Sequence, residues 1–553
     1  MDRAPLRFGA AAGTYRLVMA MLSSTAAAND PPPLAGYDLF RENRPLVEAL
    51  EREGAGWAAE RCSAFGSLLT REPLEWGRLA NEHRPVLVDG DEVEFHPAWH
   101  ELMSLSIAQG LHALSWTDPR PGAHVARAAL FFLMAEVEAG HGCPISMTHA
   151  AVPALRAAAP QLAPEWELLL TSSEYDFGLR PPAAKRGAVC GMALTERQGG
   201  SDVRANTTSA RPLGGDEYAL DGAKWFCSAP MSDAFLVLAK APEGLSCFLL
   251  PRVLPDGTRN AFHIERLKDK LGDRSNASSE IELRGAWGRL VGEEGRGVRA
   301  IVEMIVHTRL DCVLGAAAGM RRAVEHATHH AAHRRAFGAL LADQPLMRNV
   351  LADLCLESEA ATATALRLGR AYDRRTEDAR EAAFARIATA IAKYWVCKRG
   401  PGHAAEALEC LGGNGYVEDS GLPRVYRQQP LLSIWEGSGN VVCLDVLRAL
   451  GREPESLEAL YEEIGLAGDP DLLRFAERAV AAADESGARR LVEQLALALQ
   501  VSLVDRSAPG PVAEAFRASR LRREGGLAYG TLPGGLDLGS IIERNRPISE
   551  GAA

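Results

Sequence analysis

From Tyr37 to about Lys185 apolar residues recur every three or four positions, most clearly in ARAALFFLMAEVEA from Ala126 to Ala139. That is the period of helices with a buried face. Pro181 and Pro182 then punctuate the chain. From Gly187 to about Gly297 the period falls to two: EYALDG, AFLVLAKA, SCFLLPR, FHIERL and SEIELRG are short alternating runs rich in β-formers, parted by Gly, Pro and Asp. They predict a compact antiparallel β-domain. Helical periods return from Val298 to Leu450, and a last helical region runs from about Gly451 to Ala553. The pattern predicts an α+β chain with a loose extension over 1–36, a helical domain over 37–185, the β-domain over 186–297, a helical bundle over 298–450 and a C-terminal helical domain over 451–553.

At 553 residues the chain exceeds one ordinary core. No run of eighteen apolar residues occurs, so no membrane span is expected. The net charge of −11 argues against a generally basic nucleic-acid binder, though not against a local basic patch. Ten cysteines occur without a CxxC pair and read as reduced, buried thiols of a cytoplasmic protein. Neither the Cys nor the His spacing suits zinc, so no metal is expected. TYRLVMAML near the start is short and is followed by AAANDPPPLAGY. It reads as part of a loose extension, not a signal peptide, with Met19 or Met21 as alternative starts.

Three stretches carry chemistry. In GMALTERQGGSD (Gly191–Asp202) small residues let the backbone approach a ligand, and Thr195 and Ser201 supply hydroxyl donors. In KWFCS (Lys224–Ser228) Trp225 and Phe226 can wall a planar ring while Ser228 donates to an oxygen. In SIWEGSGN (Ser433–Asn440) Glu436 stands between Trp435 and Gly437. An aromatic wall desolvates a carboxylate and raises its pKa towards general-base range. Taken singly, each also has an ordinary reading: a glycine turn, a core tryptophan, a solvated glutamate.

Together and in this order these stretches resemble the acyl-coenzyme A dehydrogenase superfamily, over about residues 37–450. KDKLGDRSNAS (Lys268–Ser278), RRAFG (Arg334–Gly338) followed by Gln344, and LGGNGY (Leu411–Tyr416) add to the likeness. REGAGW (Arg52–Trp57), FHPAWH (Phe95–His100) and the region beyond residue 450 are similar to the AidB branch, the bacterial alkylation-response flavoproteins.

The resemblance implies an acyl-CoA dehydrogenase-like fold with an added C-terminal helical domain, non-covalent FAD, acyl-CoA as substrate and a homotetramer. It implies that Glu436 is the base that takes the α-proton of an acyl thioester. Some members carry that base on a long helix instead, where this chain has Thr308 ahead of Arg309. It implies that Met192, Thr195, Gly200 and Ser201 line the flavin. Phe226, Cys227 and Ser228 would pack on its other side or near its phosphates, with Ile434, Trp435, Gly437 and Asn440 around the base. Arg334 and Phe337 would reach the pyrophosphate or adenine across a subunit interface, and Gly412 and Gly413 the FAD of a neighbouring subunit. Where the family often has Gln before that glycine pair, this chain has Glu409, which puts one cofactor contact in doubt.

The AidB branch also implies a role in the response to DNA alkylation, with weak or vestigial acyl-CoA dehydrogenase chemistry and double-stranded DNA bound by the C-terminal helices. Arg448, Arg517, Arg520, Arg522 and Arg523 are the candidate DNA contacts. From residue 441 onward there are 13 Arg, no Lys and 18 Asp or Glu, so a helical domain that mainly builds the oligomer is an equal reading. The alternative function is an ordinary acyl-CoA dehydrogenase of catabolism, acting on a short or branched thioester.

Overall fold

The structure, a computed structural model, describes residues 29–548. The N-terminal helices are α1 (Arg44–Arg52), α2 (Ala59–Leu69), α3 (Glu72–Glu82), α4 (Pro97–Ala108), the short α5 (Leu114–Thr117), α6 (Ala123–Val137), α7 (Gly142–Ala158) and α8 (Ala163–Leu170). A small hairpin of β1 (Val86–Val88) and β2 (Glu92–Glu94) separates α3 from α4. Pro97 begins α4 and Pro45 is the second residue of α1, in the first turn, where the ring presets φ and the missing N–H would have had no partner within the helix.

The sheet comprises β3 (Cys190–Ala193), β4 (Ser209–Gly214), β5 (Glu217–Ser228), β6 (Ala234–Ala241), β7 (Gly244–Pro251), β8 (Phe262–Leu267) and β9 (Ser278–Val291). Pairings run β4–β5–β9–β7–β6 and back to β4, so the sheet curls closed, with β8 added on β9 and β3 on β6. Most pairs are antiparallel as the alternation predicts. Two differ: β3 runs parallel to β6, and β4 meets β6 in a single parallel pair, Ser209 with Lys240. The tight hairpins that signal antiparallel pairing are absent from these connections, which cross over instead.

Beyond the sheet stand α9 (Gly297–His333), the two-residue strands β10 (Arg335–Ala336) and β11 (Ala339–Leu340), α10 (Pro345–Arg374), α11 (Ala379–Cys410), α12 (Leu422–Leu432) and α13 (Gly439–Arg452). The chain closes with α14 (Pro454–Gly465), α15 (Pro470–Ala481), α16 (Ala488–Ser507), α17 (Gly510–Phe516), a π-turn over Arg517–Leu521, and α18 (Leu538–Asn545). The side chain of Asp378 caps α11 by accepting from the N–H groups of Arg380 and Glu381. α9 packs against α6, α7, α10 and α11, and is buried nearly all round over Ala316–Ala331 rather than along one stripe.

The region after residue 450 is a layer laid on the bundle, with α14 and α16 on α11, and α16 and α18 on α10. Buried ion pairs fasten it: Arg367 with Glu463, and Arg544 with Glu359. The expected loose extension is corrected where it is described. Asn29 exchanges side-chain hydrogen bonds with the backbone of Arg335, and His329 bonds the Pro32 carbonyl at 2.8 Å. The part before Asn29, including TYRLVMAML, lies outside the described residues. Among the described residues no helix is long and apolar enough to cross a membrane.

Candidate active site

A cavity of about 1280 Å³ lies where the N-terminal helices, the sheet and the bundle meet. That exceeds the ~300–1,000 Å³ of an ordinary small-molecule site and leaves room for two ligands side by side. Glu436 lines it together with nine of the expected cofactor residues: Met192, Thr195, Gly200, Ser201, Phe226, Ser228, Ile434, Trp435 and Gly437.

Local chemistry explains how each wall is built. β3 delivers Met192, and the loop after it carries Thr195 to Ser201. Glu196 locks that loop: it accepts from the Thr207 N–H at 2.6 Å, the Thr208 hydroxyl at 2.6 Å and the Lys224 ammonium at 2.7 Å. Burial pushes the Glu196 carboxyl up, but the hydrogen bonds from Lys224, Thr207 and Thr208 outweigh it and bring the pKa to about 2. On β5 the register slips between Lys224 and Cys227, a bulge at Trp225 and Phe226. The bulge bonds Trp225 N–H to the Thr195 carbonyl at 2.9 Å and leaves Phe226 half exposed towards the cavity.

Glu436 sits in a turn between α12 and α13. Its φ of 55° is left-handed, a conformation that costs a non-glycine residue about 1–3 kcal/mol and is kept only where surroundings hold it. Here α9 and α11 hold it. The Thr308 hydroxyl donates to the Glu436 carboxylate at 2.7 Å, and Arg309 Nε donates to the Glu436 carbonyl at 2.9 Å. Lys393, buried in α11, donates to the Gly437 carbonyl, and Arg309 also pairs with Asp445 at 2.7 Å. Gly437, at φ 106°, continues the turn, where a Cβ would press on Val442 and Arg309. α12 reaches this place because Gly319 and Gly400 open a slot for the amide of Gln429, which a Cβ at either glycine would overlap.

Glu436 is surrounded by protein yet keeps one edge open to the cavity, so its accessible surface is intermediate while its desolvation is severe. Burial raises its pKa, against the Thr308 hydrogen bond and the charges of Arg309 and Lys393. Nearby, burial raises Asp273 to about 7 against Lys270. Several buried polar atoms on this wall have no partner among the described residues: Asp273 Oδ1, Asn276 Oδ1, Gln428 Nε2 and Trp435 Nε1. An apolar enclosure edged by such groups fits a flat heterocycle that hydrogen-bonds along its rim.

Six expected residues are placed elsewhere. Cys227 is corrected: next to Phe226 on the strand, it turns its side chain into the core on the opposite face. Asn440 is exposed and accepts from Arg489 at 2.8 Å. Arg334 bonds the Asn29 carbonyl at 2.9 Å, and Phe337 stands fully exposed at a φ of 53°. Gly412 and Gly413 face open space. Within one chain none of these last four lines the cavity.

Each arginine named as a candidate DNA contact lies within ion-pair distance of a carboxylate. Arg517 pairs with Asp469 and Asp505, Arg520 with Asp353 and Glu357, Arg522 with Glu514 and Glu524, and Arg523 with Glu493 at 3.6 Å. Arg448 lines the cavity and pairs with Asp445. Arg517, Arg522 and Arg523 pair with carboxylates of their own layer, whereas the partners of Arg520 lie on α10. Lys393 and Arg309 were not singled out in the sequence. The signal for Lys393 was one lysine inside the apolar run AIAKYWVC; Arg309 had none beyond its place beside Thr308.

Three family models match the chain: the adaptive response protein AidB N-terminal domain over residues 29–177, the acyl-CoA dehydrogenase middle domain over 191–286, and the acyl-CoA dehydrogenase C-terminal domain over 295–451. The chain is 49% identical over 476 residues to the putative acyl-CoA dehydrogenase AidB of Escherichia coli (strain K12), covering 84% of this chain and 86% of that protein. It is 30% identical to acyl-CoA dehydrogenase family member 11 of Caenorhabditis elegans, covering 73% of this chain and 68% of that one. Among solved structures, the C. elegans ACDH-11 in complex with C11-CoA superposes with a TM-score of 0.81 at 26% identity, over 89% of this chain and 92% of its own. Bd2924 in its apo form gives 0.81 at 28%, over 88% and 100%.

Proposed function

Since the chain belongs to the acyl-CoA dehydrogenase family, in its AidB branch, and is therefore an FAD-dependent oxidoreductase of that type, we propose that Glu436 is its catalytic base and an acyl-CoA thioester its substrate. The observation that carries the proposal is the Glu436 turn: a desolvated carboxylate open to the cavity on one edge and held by Thr308, Arg309 and Lys393.

FAD, when bound against these residues, would supply the acceptor for the hydride of the acyl β-carbon, so that loss of the α-proton would leave the α,β-unsaturated thioester. The chain's own residues do the rest. Glu436 Oε receives the α-proton, and its raised pKa makes the carboxylate a stronger base than a solvated one. Thr308 fixes the carboxylate by one hydrogen bond, which stabilises the charged form before the proton arrives. Thr195, Ser201 and Ser228 offer hydroxyls, and Met192, Phe226 and Trp435 offer flat or adaptable apolar walls for the ring. Asp273, Asn276 and Gln428 offer buried polar atoms for the rim. The apolar far wall, with Leu111, Phe131, Met134 and Ile145, suits an acyl chain.

The exposure of Phe337, Gly412 and Gly413 supports contact with the cofactor of a second copy, as a homotetramer would give. A role in the alkylation response through duplex binding comes with the branch alone. The paired arginines lend it no support. The test of the dehydrogenase reading is mass spectrometry of acyl-CoA thioesters turned over with an artificial electron acceptor. Loss of two hydrogens from at least one saturated thioester is expected. If every thioester from short to long is recovered intact, the reading fails.

A further inference from the structure

His124 at the start of α6, His149 in α7 and His307 in α9 are far apart in sequence, yet each presents a ring nitrogen within 4.8 Å of the other two. The spacing of histidines along the chain could not show this, because the three lie on separate helices. The ring centroids are 6.0, 5.9 and 5.4 Å apart. Imidazole nitrogens bind zinc at about 2.0–2.1 Å, which puts each ring centroid about 3.2 Å from the metal and tetrahedral neighbours about 5.2 Å apart. A contraction of under about 1 Å, within reach of side-chain rotation, closes the set on an ion of that size.

The orientation of the rings agrees. His149 Nδ1 meets the His112 carbonyl at 3.1 Å; a carbonyl only accepts, so Nδ1 carries the proton and Nε2 keeps its lone pair. Such an outer hydrogen bond is the usual device that aims a ligating imidazole. His307 Nδ1 is buried with no hydrogen-bond partner among the described residues. None of the three rings hydrogen-bonds another, so their mutual approach within 4.8 Å is not the work of a hydrogen bond between them. Trp116 stacks on His149 at 4.8 Å and meets His124 and His307 edgewise, while Tyr372 closes the far side of His307 at 4.9 Å. The nearby cations are already neutralised: Arg127 by Asp311, and Arg375 by Glu303 at 2.7 Å.

We propose that His124, His149 and His307 form a binding site for a divalent transition metal of the zinc class, braced between the N-terminal helices and the bundle. Three imidazoles without a thiolate or carboxylate suit Zn²⁺ and its neighbours, not Mg²⁺ or Ca²⁺. Water completes the coordination from the side of His124, which is only half-buried. The ion is structural: it ties α6 and α7 to the turn of α9 that carries Thr308.

The test uses untagged, FAD-loaded protein stripped with a chelator and then titrated with Zn²⁺ by calorimetry, and with Co²⁺ by its visible d–d absorption. One Zn²⁺ per chain is expected, with a rise in Tm on binding. His124→Ala and His149→Gln should each weaken binding by at least about 100-fold, the upper end of what even an outer-shell change costs, with FAD content unchanged. If His149→Gln does not fold, the half-buried His124→Ala carries the comparison alone. No saturable binding by the wild type, or binding that His124→Ala leaves within about tenfold of wild type, overturns the proposal.

Discussion

Glu436 combines three features at one position: a left-handed backbone, a desolvated carboxylate and a hydrogen bond from Thr308. A carboxyl whose folded pKa is raised binds more protons folded than unfolded between the two values. Its contribution to stability is therefore full below the unfolded pKa and is lost as pH rises through the folded one. Glu436→Gln should then raise Tm at neutral pH, and the gain should disappear near about pH 4, where the unfolded glutamate is also protonated. Thermal melts across pH check this; a loss of Tm at neutral pH contradicts the assigned direction. Thr308→Val removes a group that lowers the Glu436 pKa, so the acid limb of the flavin-reduction profile should move to higher pH, and Thr308→Ser should restore it. SIWEGSGN drew attention to the glutamate, but taken alone it reads equally as a solvated turn residue, and its role as base came with the family resemblance. That Thr308 bonds to it was not legible, because 128 residues separate them and only the packing of α9 on α12 and its turn unites them.

At the scale of elements the period-two runs and the long helical periods identify the sheet and the bundle, because burial of one face leaves its mark on every second or fourth residue. The parallel pairing of β3 with β6 left no such mark, since strand partners are chosen by tertiary packing. Nor did the all-round burial of α9, since an alanine-rich segment reads alike whether one or both faces are covered. The loop over Thr195–Ser201 is held by the buried Glu196 carboxylate, which pairs with Lys224 at 2.7 Å and accepts from Thr207 and Thr208. Lys224→Met leaves that carboxylate buried and unpaired, a loss of about 3–5 kcal/mol, and should also weaken FAD binding, since the loop lines the cavity. Denaturant unfolding and flavin retention check both effects; normal values for both would mean that the pair does not hold the loop. Glu196 also gives a pH signature opposite to that of Glu436. Its folded pKa of about 2 lies below the unfolded value, so its stabilisation is full above about pH 4.5 and is lost as pH falls towards 2. Glu196→Gln should flatten acid unfolding in that window.

For the molecule as a whole, the arginine cluster that drew attention in the sequence is tied into the acidic C-terminal layer. Arg520, bonded to Asp353 at 2.6 Å, joins that layer to α10. Neutralising Arg520, Arg522 and Arg523 together should lower Tm and leave any duplex retardation in a gel shift unchanged at low and high salt. A retardation that falls, with a flatter salt dependence and an intact fold, would instead mean that these side chains exchange their carboxylates for phosphates. Pairing of this kind is invisible in a linear sequence, where a cluster of like charges shows and its partners up to 167 residues away do not. The most direct test of the account is anaerobic mixing of FAD-loaded wild type and Glu436→Gln with a panel of saturated acyl-CoA thioesters, following the visible flavin absorbance. At least one thioester should bleach the wild type, and Glu436→Gln, with FAD still bound, should bleach at least about 10²–10⁴-fold more slowly. Bleaching of the variant at the wild-type rate, or a wild type that dithionite reduces and no thioester does, would contradict it.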